Sequence, residues 1–163
     1  MKQDRFLMGI LIGIGALVIL ALALFFIRKD NTLTYGPEDT PEGVVRNYAV
    51  AVFQRDYEKA YGYLADKKDK PTLEQFRESF LQNYISPDNS SVDIGGTEIS
   101  GDQAFVTVYI QYGSSDPFSS GYRNEERAVL LKQGGQWKIE QMPSNFWAWD
   151  WYQPTPIPVP YKP

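Results

Sequence analysis

The run from Phe6 to Ile27, FLMGILIGIGALVILALALFFI, holds 22 residues without a charge. A helix apolar on every side needs an apolar medium on every side. At about 1.5 Å per residue this one reaches about 33 Å, against a bilayer hydrocarbon core of about 30 Å. Residues 1–29 are therefore expected to be a transmembrane anchor, making the chain a single-pass protein of the cell membrane. Ala21-Leu22-Ala23 behind the basic start at Lys2 and Arg5 also fits a cleavable signal peptide. The run outlasts a signal core, however, and continues through Phe25, Phe26 and Ile27 into Arg28-Lys29, which favours an intact anchor. Two basic residues on each side nearly tie the positive-inside comparison. The short N-terminal tail and the long following domain point to an extracytoplasmic domain. Gly9, Gly13 and Ala16 form a small-residue face of the G-x-x-x-G type, along which a second helix can approach closely. Glycine is also common in membrane helices without such a role.

Beyond the anchor, charge excludes one class of partner. The chain has 16 basic and 20 acidic residues; 12 and 19 of these follow Arg28-Lys29, a net of −7. An acidic domain repels phosphate backbones, so nucleic acid is not an expected partner. Cysteine and histidine are both absent. That removes thiol catalysis, zinc-thiolate sites and the side chain most used for proton transfer near neutrality.

Residues 30–41, DNTLTYGPEDTP, read as a linker. The α+β domain expected over 42–142 opens with Thr40-Pro41, an N-cap followed by proline at the first helical position. Val44, Val45, Tyr48, Ala49, Val52 and Phe53 then recur at helical spacing. Asp56 caps a short second helix with an inner face of Tyr57, Ala60, Tyr61 and Leu64. Thr72-Leu73-Glu74-Gln75 is a capping box for a third, with Leu73, Phe76, Phe80, Leu81 and Tyr84 on its buried side. After Pro87 the period becomes alternating. Strands are expected over 91–99, 103–112, 122–132 and 136–141, the last two joined through Gly134-Gly135. Gly95-Gly96 also reads as a turn. Helices first and a meander afterwards give three helices packed on a curved antiparallel sheet.

The stretch PEGVVRNYAVAVFQRDYEKAYGYLAD and the ending LLKQGGQWKIEQM resemble the opening helices and closing hairpin of the ketosteroid isomerase-like superfamily, also called nuclear transport factor 2-like. The resemblance spans residues 40–142 and is closer to bacterial membrane-anchored proteins with a lumazine-binding-like domain. It implies a cone-shaped domain; its enzymatic members place an aspartate base and a tyrosine or protonated-acid donor in the cone. Tyr48, Tyr61, Tyr109 and Tyr112 are the candidate pocket residues, although tyrosine on an apolar face is more often core with its hydroxyl satisfied. No family catalytic residue maps onto a matching position. Asp93 alternates with Val92 and Ile94 and points outward, and Glu125 and Glu126 lie on opposite strand faces. No phosphate-cradling glycine loop is present, and no catalytic residue, cofactor or metal is expected.

The tail, 143–163, concentrates three of the four tryptophans and six prolines. Phe146, Trp147, Trp149, Trp151 and Tyr152 are expected partner-docking anchors, with proline keeping the chain extended. Two other readings stand beside this: packing back on the domain, and anchoring at the membrane interface. Together these features lead us to expect a non-catalytic accessory subunit bound to integral membrane subunits of a larger bacterial complex and to the lipid bilayer. An electron-transfer complex is one candidate host. A tethered ligand-binding or sensor domain is the first alternative, and an isomerase- or dehydratase-like enzyme the second.

Overall fold

The computed structural model describes residues 3–27, 33–88, 90–113 and 121–153, with side chains in the first helix described for 7–23. The chain divides into two compact units, Met1–Thr32 and Leu33–Pro163.

The described part of the first unit is one uninterrupted helix, α1 (Gln3–Ile27), of 25 residues. Its apolar side chains face outward all round: Leu7, Ile10, Leu11, Ile14, Leu17 and Val18 are all more than two-fifths exposed. Among the described residues, no helix is long and apolar enough to cross a membrane.

The second unit is α+β. Helices α2 (Pro41–Phe53), α3 (Tyr57–Gly62) and α4 (Leu73–Leu81) precede strands β1 (Ser90–Ser100), β2 (Gln103–Tyr112), β3 (Arg123–Gln133) and β4 (Gln136–Gln141). The strands form an antiparallel meander in the order β1-β2-β3-β4. Each helix starts where its capping chemistry directs. The Thr40 hydroxyl accepts from Gly43 N–H, and the Asp56 carboxylate from Lys59 N–H. Thr72 and Gln75 satisfy one another's backbone N–H groups in a complete capping box. At Gly134-Gly135 both φ angles are positive, +59° and +84°, as a tight two-residue hairpin turn requires.

Gly95-Gly96 is not the turn the dipeptide suggested. It sits inside β1 at a bulge between Ile94 and Thr97. A Cβ on Gly95 would come within 2.8 Å of the Tyr109 ring and 3.1 Å of Thr107 Cβ, so the bare backbone is what lets the cross-strand ring lie there. The inner sheet face carries Ala104, Val106, Val108, Ile110, Ala128 and Leu130, each fully buried, and α2 packs on it. The helices do not all share that face. α3 packs against α2, and α4 against α3, so the layer is stepped.

The segment 30–41 is also more than a linker from Leu33 onward. Leu33 packs on the core. The buried Asn47 side chain accepts from Gly36 N–H at 2.7 Å and donates to Gly36 C=O at 3.1 Å. A carboxamide that meets both the N–H and the C=O of one residue pins the strap to α2. Tyr63 adds a second tie, donating to Glu38 at 2.8 Å.

Candidate functional site

The four candidate pocket tyrosines do not converge. Tyr48 on α2 is wholly buried and donates its hydroxyl to the Phe146 carbonyl at 2.7 Å. Tyr61 on α3 donates to the Pro71 carbonyl at 2.9 Å and lies edge-on to Phe76. Tyr112 donates to Asn145 at 2.7 Å. Tyr109 belongs to the opposite face of the sheet, where its ring covers Gly95 and receives the Arg123 guanidinium at 4.1 Å. Tyr48, Tyr61 and Tyr112 thus each bond to an acceptor of the domain itself, Tyr48 and Tyr112 at neighbouring residues of the 144–146 turn, while Tyr109 lies apart on the other face. The physical reason is the period of the strand: Tyr109 and Tyr112 differ by an odd number of residues and cannot face the same way.

Four of the five tail aromatics pack back on the domain, the second of the readings open to them. Phe146, in a single 3-10 turn (Ser144–Phe146), is fully buried and meets Phe53 edge-on at 5.5 Å. Trp151 is 5% exposed and stacks on Phe76 at 4.9 Å. Trp147 meets Trp151 at 4.9 Å and stacks on Tyr152 at 5.7 Å. Tyr152 is held at φ +61°, a costly conformation for a residue with a Cβ. Its N–H bonds to the Asp69 carbonyl and its hydroxyl to the Ala65 carbonyl, which fixes it there. Of the five proposed docking anchors, four are therefore committed to the domain's own fold. Trp149 alone stands out, 87% exposed. The prolines at 154–160 lie outside the described residues.

Burial sets the titration of this region. It pushes Tyr48 well above the ordinary tyrosine value, with Tyr152 adding to the effect. Tyr63 rises through burial and then its bond to Glu38, and Tyr152 through burial and then nearby Tyr61, Asp66 and Glu140. Lys70 moves down from the usual lysine value, again through burial, beside the Tyr61 ring at 4.5 Å. Tyrosines raised in this way keep their protons at neutral pH and act as fixed donors. Among the described residues, no three metal-binding side chains come together.

The open surface lies elsewhere, on the outer side of α3 and α4. Tyr57, Leu73 and Leu81 floor a groove of about 520 Å³. Glu58, Glu74 and Glu78 rim it, with Arg77 as its one cation among the described residues. A smaller pocket of about 110 Å³ shares Tyr57 and Leu81 with it and is also lined by Val52, Phe80, Ile85 and Pro87. Arg55 and Asn83 line the mouth of that pocket, and both have left-handed backbone, at φ +59° and +58°. Arg55 pairs with Asp88 at 3.7 Å across it. Leu81 and Tyr84, assigned by spacing to the buried side of the third helix, are instead 56% and 77% exposed. The helix ends at Leu81, and Phe76 with Phe80 already fills the inner contact with Tyr57, Tyr61 and Trp151. A surplus of apolar residues over one helical stripe was the signal in the sequence. On α1, Gly9, Gly13 and Ala16 are exposed, with open space where each glycine Cβ would stand.

No family model matches the sequence, and no curated protein is significantly similar to it. Among solved structures it is similar to a SEC-C motif containing protein from Rhodopseudomonas palustris, at 14% identity over 65% of this chain and 79% of that one, with a TM-score of 0.48. It is also similar to a Campylobacter jejuni protein called an NTF2-like transpeptidase, at 14% identity over 61% and 96% of the two chains and a TM-score of 0.44. A cystatin fold protein from Novosphingobium aromaticivorans follows, at 12% identity over 64% and 97%, with a TM-score of 0.43.

Proposed function

We propose that this chain is a membrane-tethered, non-catalytic accessory subunit: α1 anchors it in the bacterial cell membrane, and an α+β domain of the ketosteroid isomerase-like superfamily, of the lumazine-binding-like kind, binds a larger membrane complex. The described side chains of α1 fall short of a membrane span by themselves, so the observation that carries the reading is α1 taken with its 22-residue uncharged run, Phe6 to Ile27. Its apolar side chains are exposed around the whole circumference, and water is a poor solvent for such a surface at about 25 cal/mol per Å². By sequence the uncharged run extends past the described side chains to Ile27. A bilayer covers all sides at once, and the faces of Gly9 and Gly13 leave room for a neighbouring helix. The non-catalytic part of the reading rests on the tyrosines, which are spent on separate structural bonds, and on the tail aromatics Phe146 and Trp151, which occupy the domain's own core.

Extraction of native membranes with alkaline carbonate tests the anchor. The chain stays in the pellet on this account, and release into the supernatant overturns it. An extracytoplasmic domain is then accessible to protease added to intact spheroplasts.

A further inference from the structure

We propose that the groove between α3 and α4 is a docking site for a short, basic amphipathic helix of a partner polypeptide. This rests on the reading of the domain as a binding module and names the chemistry of what it binds. Leu73 and Leu81 lie eight residues apart on α4, about 12 Å along the axis. That is the spacing of residues about two turns apart on a facing helix, and Tyr57 from α3 adds a third apolar contact to the floor. Tyr57 is held flat against Phe80 at 5.2 Å, so this part of the floor is preformed. Leu81, 56% exposed, gains burial only when something covers it.

Charge selects the occupant. Three carboxylates rim the groove against one guanidinium. None of Glu58, Glu74 and Glu78 has an ion-pair partner among the described residues. Lysine or arginine flanking an apolar stripe complements that rim, and complementary charge sets partner choice and encounter rate. Anionic lipid headgroups and acidic peptides meet repulsion there. A groove on the outer side of two helices suits a helix better than a small molecule that needs enclosure.

The test uses the full-length protein in phosphatidylcholine nanodiscs and a fluorescein-labelled 14-residue helix of leucine and lysine, with binding followed by anisotropy. Empty discs supply the lipid background. Saturable binding at one peptide per protein is expected. E74Q/E78Q weakens it about fivefold and flattens its salt dependence, and Leu81→Ser weakens it by a similar factor. Glu125→Gln, on the outer face of the sheet, leaves it unchanged. Equal binding by every variant, or equal binding of the same peptide with glutamate in place of lysine, overturns the proposal. The E74Q/E78Q pair changes only exposed side chains, so it keeps the test decisive if Leu81→Ser impairs folding. Protein that fails to enter the discs reports on the anchor reading alone; the same variant series run on the full chain in detergent micelles still reports on the groove, so the two failures are distinguishable.

Discussion

Replacing Trp151 by alanine separates a tail that belongs to the core from one reserved for a partner. Trp151 is 5% exposed, stacks on Phe76 at 4.9 Å, lies 6.2 Å from Phe80 and meets Trp147 edge-on at 4.9 Å. Truncating a buried tryptophan to alanine costs about 3–5 kcal/mol. That is a large share of the roughly 5–15 kcal/mol that holds a domain together. With a urea slope of about 2 kcal/mol per molar for a domain of this size, a loss of about 4 kcal/mol lowers the midpoint by about 2 M. The matched control is Trp149→Ala, at a side chain 87% exposed, which shifts stability by no more than about 0.5 kcal/mol. The assay is urea unfolding of the full chain in detergent, followed by near-ultraviolet circular dichroism. Midpoints for the two variants within about 0.3 M of one another would refute the packing argument and return Trp151 to the docking reading.

Four further outcomes follow from the same geometry. Asn47→Ala removes both bonds to Gly36 and leaves that residue's N–H and C=O short of their partners; a loss of about 2 kcal/mol is expected, read as faster hydrogen exchange at the Gly36 amide. Gly43→Ala places a Cβ 1.9 Å from the Pro37 carbonyl, so thermal unfolding moves down despite alanine's better helix propensity of about 1 kcal/mol. Arg55→Gly relieves a left-handed residue after α2 and raises stability by up to about 1 kcal/mol. The raised tyrosines set the alkaline limit. The folded pKa of Tyr48 lies above its unfolded value, so its contribution is fully present below about pH 10 and is lost as pH rises beyond, by up to about 1.4 kcal/mol per pH unit. Unfolding titrations at pH 8 and pH 11 show the decline, and Tyr48→Phe flattens it.

Local chemistry explains what could be read from the sequence. Caps at Thr40, Asp56 and Thr72 mark all three domain helices, because an N-cap satisfies backbone donors within its own turn. The four strands follow from alternation, and the outward Asp93 from its neighbours Val92 and Ile94. What escaped depends on contacts distant in the chain. The bulge at Gly95-Gly96 is decided by the Tyr109 ring on the next strand, and in sequence a glycine pair looks the same in a bulge as in a turn. Asn47 gives no sign that it will clasp Gly36 eleven residues earlier. The fate of Trp147, Trp149 and Trp151 hinges on the left-handed turn at Tyr152, held by Asp69 and Ala65, which no local pattern announces. The groove on α3 and α4 was half visible: Leu73, Leu81 and Tyr84 exceed what one face of a nine-residue helix can bury, though period alone does not say which side goes unpartnered.

The most direct test of the accessory-subunit account is purification of the native protein in mild detergent, with native gel sizing and mass spectrometry of the band. The chain is expected to migrate with larger integral membrane subunits in a fixed ratio, and Trp149→Ala or E74Q/E78Q to weaken that association. A lone monomer or homodimer, unchanged by either variant, would contradict it.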